Sequence, residues 1–222
     1  MPKITAVIPV RAGSRRLPNK NILPFGNSNL LVHKIRQLKQ VKQISNIIVS
    51  TDSDTMIQMA IDENVEFQRR PLEYCDEKTK TFNEVVEYVA KNLKTDIIMW
   101  SPCVCPIISP EMYSKAINEF LQLDTKYDSV ISARLLKEYI FNNNGPVNFY
   151  SQNHVPSQQL PNWYIITNGF YIAQRSDMEK WKYFYGRNPK LIEISKFEAI
   201  DIDDIADFEF AEFIYNKLIL KR

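Results

Sequence analysis

Two groups of residues have types and spacing that suit them to chemistry, and they lie near opposite ends of the chain. The first is Ile8-Pro9-Val10-Arg11-Ala12-Gly13-Ser14-Arg15-Arg16-Leu17-Pro18-Asn19-Lys20-Asn21, in which a glycine, a hydroxyl and four basic side chains follow an apolar run. Backbone amides around Gly13 and Ser14 can face phosphate oxygens, while Arg11, Arg15 and Lys20 can neutralise charge that builds on a leaving pyrophosphate. Such a loop suits a polyphosphate. It is neither a Walker loop nor a GxGxxG dinucleotide fingerprint, because its glycine and lysine spacing differs from both. The second group is Ile200-Asp201-Ile202-Asp203. Alternation with isoleucine would project both carboxylates from one face of a short extended segment. Two hard oxygen ligands suit Mg²⁺, which takes one or two carboxylates and completes its shell with phosphate and water. The competing reading is helix capping, and Asp204 and Asp207 are expected to be the cap and first-turn charges of a helix beginning near Ile205.

Groups so far apart in sequence need a rigid frame to meet. Short β-branched runs alternate with segments of helical period, which is the pattern of a Rossmann-like, doubly wound, mainly parallel α/β sheet with helical crossovers. Strands are expected at 4–9, 46–50, 96–100, 128–132, 169–173 and 191–194. Helices are expected at 30–38, at 54–61 after a Ser53 cap, after the capping box Thr81-Phe82-Asn83-Glu84, after Ser109-Pro110, and at 204–220. The basic loop then follows the carboxyl end of the first strand, where open α/β sheets bind ligands. Residues 135–161, rich in Asn, Gln and aromatics, break this pattern. They read as an insertion, a β-rich arm spanning about 135–165 within a single domain of 1–222, and their aromatics suggest a homodimer interface.

The 222 residues carry 28 basic and 26 acidic side chains, a net charge of +2, which lacks the broad positive excess of a nucleic-acid binder. Three scattered cysteines, Cys75, Cys103 and Cys105, read as free thiols of a reducing compartment. The N-terminal apolar run is too short for a signal-peptide core, and no stretch approaches the ~20 apolar residues of a membrane span. A cytoplasmic protein is expected.

The first-strand loop resembles the signature I-P-A-R-x-G-S-K-x-I-P-x-K-N of the acylneuraminate cytidylyltransferase family, the CMP-sialic acid synthetases and their relatives. Pro9, Arg11, Gly13, Ser14, Pro18, Lys20 and Asn21 match it, and Arg15 replaces a lysine. The resemblance continues in order through Val49-Ser50-Thr51-Asp52, Arg70-Pro71 with Asp76 and Thr79, Asn168-Gly169-Phe170-Tyr171-Ile172, and Ile200-Asp201-Ile202-Asp203 to Phe208. It implies a nucleotide-diphospho-sugar-transferase type of sheet, a homodimer, and transfer of CMP from CTP to an acidic 2-keto sugar with release of pyrophosphate. Arg11, Lys20, Asp201 and Asp203 would be catalytic, the two aspartates as magnesium ligands. Arg11, Ala12, Gly13, Ser14, Arg15, Lys20, Asn21, Asp52, Arg70 and Thr79 would bind nucleotide. Lys137, Gln158, Asn168 and Tyr171 are the candidates for the acceptor.

Two departures bear on that acceptor. Where many relatives read Q-P-T-S-P, this chain has Pro102-Cys103-Val104-Cys105-Pro106, and Pro156-Ser157 stands where a basic residue often precedes Q-x-L-P. A site built around hydrogen bonds discriminates strongly by them. A cytidylyltransferase for a phosphate or phosphonate acceptor is therefore an alternative. A glycosyltransferase would share the Asp-x-Asp pair, and a silent nucleotide-binding or scaffold protein would share the fold.

Overall fold

The computed structural model describes residues 2–14, 16–76 and 78–219. Seven strands, β1 (Ile4–Pro9), β2 (Asn46–Thr51), β3 (Glu66–Arg69), β4 (Ile97–Trp100), β5 (Ser129–Leu136), β6 (Trp163–Gln174) and β7 (Pro189–Glu193), form one sheet in the order β7-β5-β6-β4-β1-β2-β3. All neighbours run parallel except β6, which is antiparallel to both β4 and β5. The expected doubly wound, mainly parallel sheet is present. Among the described residues six α-helices, α1 (Leu30–Lys39), α2 (Asp54–Asp62), α3 (Phe82–Lys91), α4 (Pro110–Leu121), α5 (Arg175–Trp181) and α6 (Ile205–Ile214), cover its faces.

The sheet is sealed on both sides, which explains why its central strands are continuous apolar runs. One face packs Ala6, Ile8 and Met99 against α1, α2, α4 and α6; the other packs Val7, Ile98 and Trp100 against α3 and α5. Local signals set the helix starts. Ser53, Thr81, Ser109 and Asp204 each accept a backbone amide three residues on, and Thr81–Glu84 and Asp204–Asp207 close reciprocal capping boxes. Asp204 and Asp207 are thus the cap and first-turn charges expected of them. The last helix is α to Ile214 and continues as a π-turn over Tyr215–Ile219; Leu220, its expected end, lies outside the described residues.

The chain steps from β1 outward through β2 to β3, then returns to place β4 on the other side of β1. This reversal leaves a crevice beyond the carboxyl ends of β1 and β4, the place where such sheets bind ligands. Two expectations need correction. Strands β5 and β6 run past the sheet's edge as a two-stranded base, pairing Trp163 with Leu136 through Ile166 with Ala133. The arm beyond that base holds only a two-residue ladder, Phe141–Asn142 against Gly145–Pro146, and one isolated bridge, so it is mainly turns. Among the described residues, no helix is long and apolar enough to cross a membrane.

Candidate active site

A cleft of about 630 Å³ opens at the β1/β4 reversal, lined on one side by Arg11, Ser14, Arg16 and Lys20 and on the other by Asn168, Asp201 and Asp203. The basic loop is held in shape by its neighbours. Val10 extends the strand pairing by donating its amide to the Ser50 carbonyl, and Ala12 donates to Asp52 Oδ1 at 3.0 Å. Gly13 sits at φ +74°, a left-handed conformation that a side chain would strain. Arg11 donates to the Cys75 carbonyl at 2.7 Å, which ties the loop to the turn after β3.

The two groups of residues meet across the cleft. Lys20 Nζ donates to the Ile202 carbonyl at 2.6 Å and stands 3.2 Å from Asp203 Oδ1. Arg16 reaches the same carboxylate oxygen at 2.7 Å. Ile200 and Ile202 are buried while Asp201 and Asp203 line the cleft, so the alternation does put both carboxylates on one face. Asn168 Nδ2 donates to Asp201 Oδ2 at 2.6 Å, and the Tyr171 hydroxyl donates to Asn168 Oδ1 at 3.0 Å. Burial lifts the Asp201 carboxyl above the usual range; the Asn168 amide opposes this, and the Asp203 charge adds to it.

A third segment props up the carboxylates. Ile202 donates its amide to the Val104 carbonyl at 3.0 Å, so the turn of residues 102–106 sets the backbone between the two aspartates. That turn is clamped by α1. Fully buried Lys34 donates to the Cys105 carbonyl at 2.8 Å, Gln37 donates to the carbonyls of Pro106 and Ile108, and His33 Nε2 meets the Pro106 carbonyl at 3.0 Å. Cys103 and Cys105 are free thiols within this packing, and burial pushes Cys103 up to about 12. Among the described residues no cluster of three or more His, Cys, Asp or Glu could hold a metal.

Several expected site residues act through others. Arg70 borders the cleft, but it is buried and donates to the Val10 carbonyl and to Cys75 Sγ, which makes it a strut for the loop. Asp52 holds the Ala12 amide. Asn21 bridges Arg11, by donating to its carbonyl, and Cys103 Sγ at 3.2 Å. Tyr171 stands behind Asn168. The Thr79 hydroxyl donates to the Glu73 and Asp76 carbonyls, closing its own turn, and the residue is not brought to the cleft. Lys137 and Gln158 also lie elsewhere, at the base of the arm, where Lys137 donates to the Leu160 carbonyl and Gln158 sits in a short 3₁₀ turn. Arg15 lies outside the described residues. Sequence reasoning missed Arg16, which the adjacent-arginine pattern alone could not separate from Arg15, and it missed the aromatic residues Phe82, Trp100 and Phe184 that line the cleft.

A family model described as Cytidylyltransferase matches residues 5–213. The chain is 30% identical over 97% of its length to an N-acylneuraminate cytidylyltransferase of Escherichia coli, of which it spans 52%. It is 21% identical to a pseudaminic acid cytidylyltransferase of Campylobacter jejuni, covering 96% of this chain and 97% of that protein. It is also 24% identical to a CMP-N,N'-diacetyllegionaminic acid synthase of Legionella pneumophila, with 95% of each covered. Among solved structures, a CMP:2-keto-3-deoxy-manno-octonic acid synthetase complexed with CTP shares the fold at a TM-score of 0.72 and 15% identity, covering 97% of this chain and 99% of that one. The chain therefore belongs to the cytidylyltransferase family and is a CTP-dependent nucleotidyltransferase.

Proposed function

We propose that this enzyme transfers CMP from CTP to a hydroxyl of an acidic 2-keto sugar of the nonulosonate type, releasing pyrophosphate, as a step in building surface glycans. The observation that carries the reading is the meeting of Lys20 and Arg16 with Asp203 across one cleft, because a triphosphate and a carboxylate pair must work together in such a transfer. The names of the relatives, which act on N-acylneuraminate, pseudaminic acid and N,N'-diacetyllegionaminic acid, support that acceptor class.

In this reading Arg11, Arg16, Lys20 and Ser14 bind the triphosphate and stabilise the charge that collects on departing pyrophosphate. Lys20 and Arg16 exchange Asp203 for phosphate oxygens as the nucleotide enters. Asn168 fixes Asp201, and the 102–106 turn fixes the backbone between the carboxylates. The pair fits Mg²⁺ by donor chemistry: two hard oxygens on one face, one of them raised in pKa by burial and by its neighbour's charge, favour an added cation. When bound there, Mg²⁺ would stabilise phosphate charge and make the attacking hydroxyl more acidic. No covalent enzyme intermediate is needed.

A second reading, a phosphate or phosphonate acceptor, draws on the 102–106 turn, which offers the cleft Pro102 and Val104 in place of hydrogen-bonding side chains. The exposed apolar residues of the arm and its base, Phe141, Tyr150 and Trp163 to Ile166, support a homodimer. Incubation with CTP labelled at its α-phosphorus tests the acceptor. Label recovered in a CMP-sugar supports the nonulosonate reading, and label recovered only with a phosphorylated acceptor replaces it.

A further inference from the structure

We infer that the acceptor side of the cleft selects a sugar acid that turns a deoxygenated, methyl-bearing end toward a wall formed by Phe82, Trp100 and Phe184. The inference rests on the nonulosonate reading of the same site and narrows its substrate class.

The cleft has two unlike sides. The basic loop hangs from β1 and is tied outward to β2 and to the end of β3, through the Ser50 carbonyl, Asp52 and Arg70. The nucleotide's phosphates belong on that side. Beyond β1 the sheet continues into β4 and β6, and there the lining changes character. Trp100 is the last residue of β4 and is buried, Phe82 opens α3 half-exposed, and Phe184 follows α5. Their rings form one surface. Phe82 meets Trp100 at 6.3 Å and Phe184 at 5.3 Å, both edge to face, and Trp100 lies 5.8 Å from Phe184.

This wall adjoins the carboxylates. Tyr171 stacks on Phe184 at 4.1 Å, while its hydroxyl points away to Asn168, which holds Asp201. An acceptor whose reacting oxygen lies near Asp201 therefore has the rest of its body beside these rings. Three of the polar side chains bordering the wall have partners within the protein. Thr81 Oγ1 is engaged with Glu84 in the capping box, Lys80 pairs with Glu84 at 3.0 Å, and Asn168 bridges Tyr171 and Asp201. A hydroxyl pressed against these rings loses water without gaining a partner from them, whereas a methyl group buries apolar surface. One such hydroxyl costs roughly ten- to a hundredfold in kcat/KM.

The test compares pyrophosphate release with two probes, a terminally deoxygenated 5,7-diacylamino nonulosonic acid and N-acetylneuraminic acid, which carries a hydroxylated side chain. The expected result is a preference of about ten- to a hundredfold for the deoxygenated acid. Phe82→Asn, at a half-exposed position, narrows that gap, and Phe82→Leu keeps it; thermal melting verifies that both variants fold. Equal kcat/KM for the two acids, a preference for N-acetylneuraminic acid, or a ratio that Phe82→Asn leaves unmoved overturns the inference alone. Turnover of neither acid overturns the nonulosonate reading, and the inference with it.

Discussion

Lys20 Nζ lies 2.6 Å from the Ile202 carbonyl and 3.2 Å from Asp203 Oδ1, a carboxylate 183 positions away in the chain. One ammonium thus joins the loop after the first strand to the aspartate pair. With its side chain only 13% exposed, it has little water to fall back on. Removing it takes away the tie between the two halves of the cleft and, in the proposed transfer, a phosphate donor. Lys20→Ala is expected to lower kcat by on the order of a hundredfold or more, measured by pyrophosphate release on folded protein. Near-normal turnover would count against the assignment.

The aspartates should separate activity from stability. Asp201 is partly buried beside a second carboxylate, so Asp201→Asn removes a desolvated charge and a like-charge repulsion. The variant is expected to melt no lower than the native protein yet to lose roughly a hundredfold or more in kcat. A chelator should silence the native enzyme, and added Mg²⁺ should restore it. Full activity in the presence of chelator would remove the metal from the account.

Asp52 should act on nucleotide affinity through the loop. Its carboxylate accepts the Ala12 amide, a charge-assisted bond worth about 1.5–3 kcal/mol. Asp52→Ala is expected to raise the KM for CTP roughly tenfold or more, with a smaller change in kcat. Steady-state kinetics with CTP varied would show this. A fall confined to kcat would instead place Asp52 nearer the reaction.

Stability should fall in mild acid because of His33. Burial lowers its pKa from 6.5 to about 4, and its Nε2 faces the Pro106 carbonyl between the rings of Phe25 and Tyr215. The unfolded chain takes up the proton first, so the contribution present above pH 6.5 is lost as pH falls toward 4. The loss is on the order of 3 kcal/mol. His33→Gln keeps a donor for the carbonyl and should flatten that part of the profile, read as unfolding free energy against pH. An unchanged slope would assign the effect to other groups.

The arm should hold two copies together. Phe141 and Tyr150 are 69% and 79% exposed, and burying them against a second copy would remove apolar surface from water. Sedimentation should find a dimer, and Phe141→Glu with Tyr150→Glu should yield monomers. A native monomer would refute the homodimer.

Much of the site could be read from the sequence because its groups sit on local signals. The Gly13 loop follows an apolar strand, and Asp201 and Asp203 alternate with buried isoleucines. The capping residues Ser53, Thr81, Ser109 and Asp204 also carried their own marks. What stayed hidden depends on tertiary placement. Strand β3, Glu-Phe-Gln-Arg, is an edge strand with no buried apolar period, and α5 is a short helix with one buried residue, Met178. Strand β6 is longer than expected because Trp163 to Ile166 leave the sheet exposed, so burial does not alternate there. Arg70 and Thr79 look like ligand contacts in sequence, yet their side chains serve the Val10 carbonyl and a local turn. The wall of Phe82, Trp100 and Phe184 draws on three elements that only the fold brings together.

The most direct test of the central claim is pyrophosphate release and product mass with CTP, Mg²⁺ and a set of nonulosonic acids, run beside phosphorylated and phosphonate acceptors. The account predicts release that requires both CTP and a sugar acid, in step with a CMP-sugar of the corresponding mass. Release that proceeds only with a phosphorylated or phosphonate acceptor would contradict it.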